Sequence, residues 1–382
     1  FHPPFAMLVK DFHDGGLEKV VIDLTRQFAR QGISCPILVS GSAGRAATVA
    51  IELGCDVRVF NGDVDKMEAC ARDLGLTVVF SHHCYEGWDR LAAGGHRIVE
   101  VIHNAYHWQQ NDPWLADLRS RHASGYIAVS EFVRAYSLAR LSLQAKDISV
   151  IENGLSREGL IRPPLARLIA ERRATIGKPL LVHVANAHPQ KNHLAILDAF
   201  KIVSRSHPTA ELAFAGVIDQ QSDLYRTMVD RIATGGMADR VRFAGPLNRR
   251  DLSRLLSRAH VGLLPSMLEG FSIASLEYTY FGLPAVLSAT GAALRLADAY
   301  HHVVLAPDAA LLPDELTPDA IERVSVAPAP QVGASIAQSI LSVLADYEVY
   351  SARALEAGLD WKSYSIESTG ERYLGVVREM AK

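Results

Sequence analysis

No apolar run of eighteen residues occurs in this sequence, and that absence excludes a membrane-spanning helix. Cysteine is scarce. Cys35, Cys55, Cys70 and Cys84 all fall in the first quarter with no CxxC spacing, which excludes a disulfide framework and reads as reduced thiols of a cytoplasmic protein. Charge of one sign is lacking too. The formal net charge of -3 supplies no general pull toward nucleic acid or anionic lipid, so no nucleic-acid partner is expected, although local basic patches remain. No Asp-x-Asp stands at a strand end. His103 and His107 share helical spacing, but zinc needs further converging ligands, so no metal site is expected. The chain opens Phe1-His2-Pro3-Pro4 without initiator Met, basic n-region or apolar core, and reads as a trimmed or excised domain.

What is present is an ordinary globular composition, 49% hydrophobic and 21% charged, over 382 residues. That length exceeds what one core holds, so two domains are expected. Short apolar runs alternate with amphipathic helical stretches, the signature of a parallel α/β sheet. The first series of strands is expected at 5–9, 36–40, 56–60, 77–80, 97–102, 126–129 and 148–151. The pattern breaks over 156–179, which carries Arg157, Arg162, Pro163, Pro164, Arg167, Arg172 and Arg173. A second series follows at 180–184, 211–215, 240–243, 261–264, 285–288 and 302–305. The stretch 307–331, with Pro307, Pro313, Pro318, Pro328 and Pro330, reads as a surface excursion. Two helices are expected after it, the last over 363–380 with Ile366 off its apolar stripe.

In such sheets ligands bind beyond the carboxyl ends of the strands. After the first strand comes Lys10-Asp11-Phe12-His13-Asp14-Gly15-Gly16-Leu17-Glu18, whose glycines allow close backbone approach to a phosphate or acceptor, or serve only a tight turn. The strongest signal follows the apolar run 261–264. Glu269 stands at a strand's carboxyl end, and the amides of Gly270, Phe271, Ser272 and Ile273 open a helix suited to an anion. Glu277 lies further into that helix, where a carboxylate can accept from a ribose diol. His82 and His83 read either as cleft lining or as packing. Trp88, Trp108 and Trp114 admit sugar stacking or core and lid packing. Arg249, Arg250, Arg254 and Arg258 read as one solvated helical face, with lipid or partner contact as the other reading.

Ser266-x-x-Glu269-Gly270-Phe271, then Glu277, then Gly282-Leu283-Pro284 resembles the Glu-x7-Glu signature of retaining glycosyltransferases of family four. Other pieces match in order: Gly15-Gly16-Leu17-Glu18, Ala128-Val129-Ser130, Val150-Ile151-Glu152-Asn153-Gly154-Leu155, His188-Pro189-Gln190-Lys191-Asn192, Val241-Arg242-Phe243-Ala244-Gly245 and Asp360-Trp361. The resemblance implies the GT-B fold: two doubly wound Rossmann-like domains, an interdomain cleft and a C-terminal crossing helix. Its expected boundaries are 1–160 plus 361–382 for the acceptor side, 161–178 for a linker, and 179–360 for the donor domain.

By the same resemblance Lys191 neutralises the donor diphosphate, Glu269 contacts the donor sugar, and Glu277 holds the ribose. Asn186, Gly245 and Gly270 to Ile273 line the donor site, and His103 approaches the sugar from the other domain. The implied activity is hexose transfer from a UDP- or GDP-sugar to a hydroxyl of a glycan or lipid-linked acceptor, with retention, without a cofactor and without a metal. Bacterial surface polysaccharide or glycolipid synthesis is the implied setting, in the cytoplasm, with peripheral contact at the inner membrane face left open. Three departures stand out. Ala185-Asn186 replaces the family's Gly-Arg, so a second diphosphate cation is missing or comes from elsewhere. Phe271-Ser272 replaces Phe-Gly, and only Gly216 remains of a later glycine turn. A sugar-nucleotide isomerase of the same fold, or a catalytically silent sugar-nucleotide-binding domain of a larger protein, are the alternative readings.

Overall fold

Strands buried on both faces of a parallel sheet read as unbroken apolar runs, and each of the thirteen expected runs overlaps a strand. The computed structural model describes residues 3–382 apart from 14, 142, 145, 146, 313 and 314. Phe1, His2, Asp14 and Pro313 therefore lie outside the described residues. The chain divides into two compact units, Phe1–Ser156 with Tyr364–Lys382, and Arg157–Ser363.

The first unit is built on β1 (Phe5–Val9), β2 (Ile37–Val39), β3 (Val57–Val59), β4 (Val78–His82), β5 (Arg97–Ile102), β6 (Ala123–Ala128) and β7 (Ile148–Val150). They form one parallel sheet in the order β3-β2-β1-β4-β5-β6-β7, with β1 and β4 in register from Phe5↔Val78 to Val9↔His82. The order reverses between β1 and β4, so the loops leaving these two strands diverge and open a crevice at their carboxyl ends. Phe5 packs edge-on to Phe28 and Phe80 at 5.1 and 6.0 Å, and Phe80 meets Tyr373 at 5.0 Å. Tyr373 belongs to the last helix, Ile366–Met380, which packs on the helix Gly16–Arg30. Ile366 is off the apolar stripe yet only 1% exposed. Its N–H donates to the Leu155 carbonyl (3.1 Å), so the first turn is bound to the chain end after β7 rather than laid along the stripe.

The second unit holds β8 (Leu180–Val184), β9 (Glu211–Ala215), β10 (Val241–Gly245), β11 (Val261–Leu264), β12 (Ala285–Ser288) and β13 (Val303–Ala306). The parallel order is β10-β9-β8-β11-β12-β13, with its reversal between β8 and β11. Leu181, Phe200, Leu212, Phe214, Leu263 and Ile336 are among its core.

Two expectations need correction. Residues 161–178 are no bare linker: Leu165–Thr175 is a helix whose Leu165, Leu168, Ile169 and Arg172 are buried within the second unit. Arg172 donates to the carbonyls of Phe281 (3.1 Å), Gly282 (2.7 Å) and Leu256 (2.8 Å), so its charge is dispersed over backbone dipoles. Burial pushes that guanidinium down to about 10. The proline-rich stretch is likewise structured. Thr317 caps a helix Pro318–Val326, accepting from the Ala320 N–H at 3.1 Å, and Leu316 is buried beside it. Proline at the first helical turn costs nothing, since that amide has no intrahelical partner. Three helices, not two, then follow: Pro330–Ala345, Tyr347–Leu359 and Ile366–Met380. Among the described residues no helix is long and apolar enough to cross a membrane.

Candidate active site

The residues singled out in the second half converge where β8 and β11 part. Their pairing ends at His183↔Leu263. Beyond it Tyr278 fills the gap, its hydroxyl accepting from the Val184 N–H (3.0 Å) and donating to the Leu263 carbonyl (3.2 Å). Gly262 admits this ring, since a Cβ there would stand 2.6 Å from it.

The loop after β8 is tied on two sides. Toward β9, the Asn186 side-chain oxygen accepts from the Val217 N–H at 2.9 Å and the Ala187 N–H donates to the Val217 carbonyl at 2.8 Å. Gly216 has φ of 145° and sits so close to the Ala185 carbonyl that a Cβ would lie 2.1 Å from its oxygen. The Gly216 N–H donates to Gly245 (2.9 Å), so Asn186 and Gly245, both expected at the donor, belong to one ladder of loops. Asn186 thus serves the backbone and carries no charge. Toward β11, Asn192 takes a left-handed φ of 57° and donates to the Pro265 carbonyl at 2.7 Å, while the Met267 N–H reaches the Gln190 carbonyl at 2.8 Å.

These ties place Lys191, at the end of the 3-10 turn Pro189–Lys191, against Glu269. The Lys191 ammonium donates to Glu269 Oε1, which also accepts from Ser266 Oγ at 2.7 Å. Their side chains are 19% and 13% exposed, shielded yet reachable. The Glu269 backbone is held from β12: Thr290 Oγ1 lies 3.3 Å from both its N and its O, and Gly291 packs so close that a Cβ would come 2.6 Å from the Glu269 carbonyl. A small pocket behind is lined by Glu269, Ser272, Ser275, Ser288 and Thr290. Thr290-Gly291 was missed by sequence reasoning, although a Thr-Gly pair just past an apolar strand is the kind of signal that marks such a loop.

The helix after Glu269 runs Ile273–Tyr280, with Gly270 and Phe271 in the loop before it and Ser272 as its cap. Ser272 Oγ accepts from the Ser275 N–H (3.3 Å), so the hydroxyl in place of the family's glycine finishes the helix start. Glu277, with a 4% exposed side chain, lies 3.8 Å from Arg249. Arg249 therefore leaves the solvated face assigned to it, whereas Arg254 stays there, paired with Asp251 at 2.8 Å.

In the first unit, Gly15 caps the helix Gly16–Arg30 in an extended conformation, and a Cβ on Gly16 would meet open space. Beside that loop Lys10 pairs with Glu86 at 3.0 Å. His103, half-buried just after β5, has its Nε2 2.8 Å from Nδ1 of His82. His82 is buried, so it supports His103 and lines no surface; its other nitrogen is 3.2 Å from the Met7 sulfur. Burial depresses both imidazoles, His103 to about 3. His83, Tyr106 and Trp108 form an aromatic cluster, with His83 4.9 Å from Tyr106 and Tyr106 5.2 Å from Trp108. Trp88 is core, its indole N–H on the Cys84 carbonyl at 2.7 Å, while Trp108 and Trp114 are exposed.

Comparison with known proteins agrees with this division. The family model for glycosyltransferase family 4 matches residues 14–159, and that for glycosyl transferases group 1 matches residues 168–321. Anabaena HepE, solved in complex with UDP, superposes over 98% of this chain and 100% of its own with a TM-score of 0.77 at 16% identity. WaaG, a glycosyltransferase involved in lipopolysaccharide biosynthesis, gives 0.67 at 15% identity over 98% and 99%. The glycogen synthase of Mycobacterium tuberculosis is 32% identical over 145 residues, 38% of this chain and 32% of that protein, so the match spans about a third of the relative's length. The fold is GT-B, and each half of the chain matches a glycosyltransferase family model. Within that class it is similar to family four.

Proposed function

We propose that this protein transfers a hexose from a UDP- or GDP-sugar to a hydroxyl of a glycan or lipid-linked acceptor. The observation that carries the reading is the Lys191–Glu269 contact at the parting of β8 and β11, beside the amides that open the helix Ile273–Tyr280. Each partner of that contact suits one part of a nucleotide sugar. Lys191 offers an ammonium to a diphosphate whose charge grows as the sugar departs, and Glu269 then accepts from the sugar's hydroxyls. Glu277 takes the ribose diol, Gly270 to Ile273 support sugar and phosphate, and Asn186 and Gly245 shape the loops around them. To His103 and the Gly15-Gly16 loop of the first unit the resemblance to family four gives the contact with the sugar and with phosphate or acceptor.

Retention, and a place in surface polysaccharide or glycolipid synthesis at the inner membrane face, come from the resemblance to family four. So does catalysis without a metal, in which Lys191 and the helix amides meet the leaving charge. HepE was solved with UDP, which makes UDP-hexoses the first probes. The purified chain is screened by thermal shift against UDP- and GDP-hexoses, because a ligand of the native state raises its melting point. Nucleotide release with a hydroxyl acceptor is then followed in the presence of EDTA, for the parent and for Glu269→Gln. Acceptor-dependent turnover that survives EDTA and is nearly abolished in Glu269→Gln is expected. Normal turnover in Glu269→Gln would sink the site. An altered sugar without acceptor would make the protein an isomerase, and binding without turnover would make it a silent binding domain.

A further inference from the structure

The hydrogen bond between His82 and His103 has a direction, and Met7 sets it. His82 ends β4 on the same face as Phe80, and Met7, the register partner of Phe80 on the neighbouring β1, lies on that face too. A thioether sulfur has lone pairs and no hydrogen, so in its 3.2 Å contact with Met7 the His82 Nε2 acts as donor and carries the ring proton. A neutral imidazole holds one such proton, which leaves a lone pair on His82 Nδ1. Across the 2.8 Å contact that lone pair accepts, so His103 must donate from Nε2. Burial keeps both rings neutral, since neither nitrogen pair faces a carboxylate that would stabilise a cation.

We propose that Met7 and His82 are positioning residues that hold His103 in its Nε2–H tautomer, so that it meets the donor sugar through Nδ1 as a neutral hydrogen-bond acceptor. The role toward the sugar rests on the function proposed above; the tautomer does not. The consequence is selectivity. An acceptor nitrogen recognises a sugar hydroxyl and is indifferent to a carbonyl or ether oxygen at the same place. With the relay broken, His82 can turn its proton toward His103, and His103 would then present N–H to the ligand.

The test is nitrogen NMR on the full chain labelled at histidine, with His103 assigned by the resonance lost in His103→Gln. The wild type is expected to show His103 protonated on Nε2 and bare on Nδ1. Met7→Leu keeps the side-chain volume and removes the acceptor, so His103 should show both tautomers and kcat for the nucleotide sugar should fall about tenfold. His82→Asn keeps an acceptor oxygen near the position of Nδ1, so it should retain the tautomer and bring kcat back to within about threefold of the parent. A role in packing alone would move neither the tautomer nor the rescue. A proton on His103 Nδ1 in the wild type overturns the relay, as does Met7→Leu with tautomer and kcat unchanged. Turnover with the wrong tautomer leaves the function standing, and the stated tautomer in a chain without turnover overturns the function and leaves the relay.

Discussion

The two sheets carry the same device at the same place and use it differently. Each has a lysine after its first strand and a glutamate after the strand beyond the reversal: Lys10 with Glu86 in the first unit, Lys191 with Glu269 in the second. Topology alone brings both pairs together, because the loops of the two parting strands must diverge around one point. Their surroundings separate them. Lys10 and Glu86 are 55% and 40% exposed, so water screens their attraction and the pair is worth little. Lys191 and Glu269 are shielded, share Ser266, and stand on a loop pinned from β12, so the field there is strong and fixed. A doubly wound sheet thus brings such a pair together, and shielding sets how strongly its charges act.

The comparison breaks most visibly at Lys191. Lys191→Ala should weaken nucleotide binding and slow transfer, removing roughly 2–4 kcal/mol of transition-state stabilisation. Calorimetry with UDP or GDP and steady-state turnover read this. Affinity and rate within twofold of the parent would assign the phosphates to another cation.

Acid should weaken the second unit next. His183, His260 and His302 are buried there, and burial holds each imidazole at about 4 against an ordinary value of 6.5. The unfolded chain binds their protons first, so this contribution is complete above pH 6.5 and is lost as pH falls toward 4. Between pH 7 and pH 5.5 each should cost about 1 kcal/mol. Urea unfolding at both pH values measures it, and a flat profile would mean that these rings gain partners when charged.

Tyr278→Phe sharpens the contrast between the two reversals. In the first sheet β1 and β4 pair to their ends, whereas in the second the Tyr278 hydroxyl bridges what β8 and β11 leave apart. Its loss should destabilise the fold by about 1–3 kcal/mol through an unpaired amide and carbonyl. The smallest effect is expected at Lys10→Ala, under about 1 kcal/mol of folding stability. A larger loss there would show that the first pair is structural.

The strands were legible because burial on both faces leaves an unmistakable apolar run, and 97–102 and 261–264 match their strands at both ends. The pairing of Lys191 with Glu269 was foreseeable from their places after β8 and β11. Arg172 was not, because its partners are carbonyls up to 110 residues away, and a buried arginine looks like a surface one in sequence. Arg249 escaped for the same reason: its helical neighbours are solvated, and only the fold turns it toward Glu277. Ile366 was misplaced because a helix period says nothing of a first turn bound to another strand's end.

The first unit is made from both ends of the chain, and this imposes an order on synthesis. Arg157–Ser363 is continuous, and all of it is synthesised before the helix Ile366–Met380. The sheet of β1 to β7 is complete long before its partner helix Ile366–Met380 exists. At ordinary elongation rates that wait is roughly 10–45 s. Throughout it, the apolar surface around Phe80 that Tyr373 will cover stays open to water. The half of the molecule that is written first is therefore the half that matures last, and it is during that interval that a chaperone would find its binding surface.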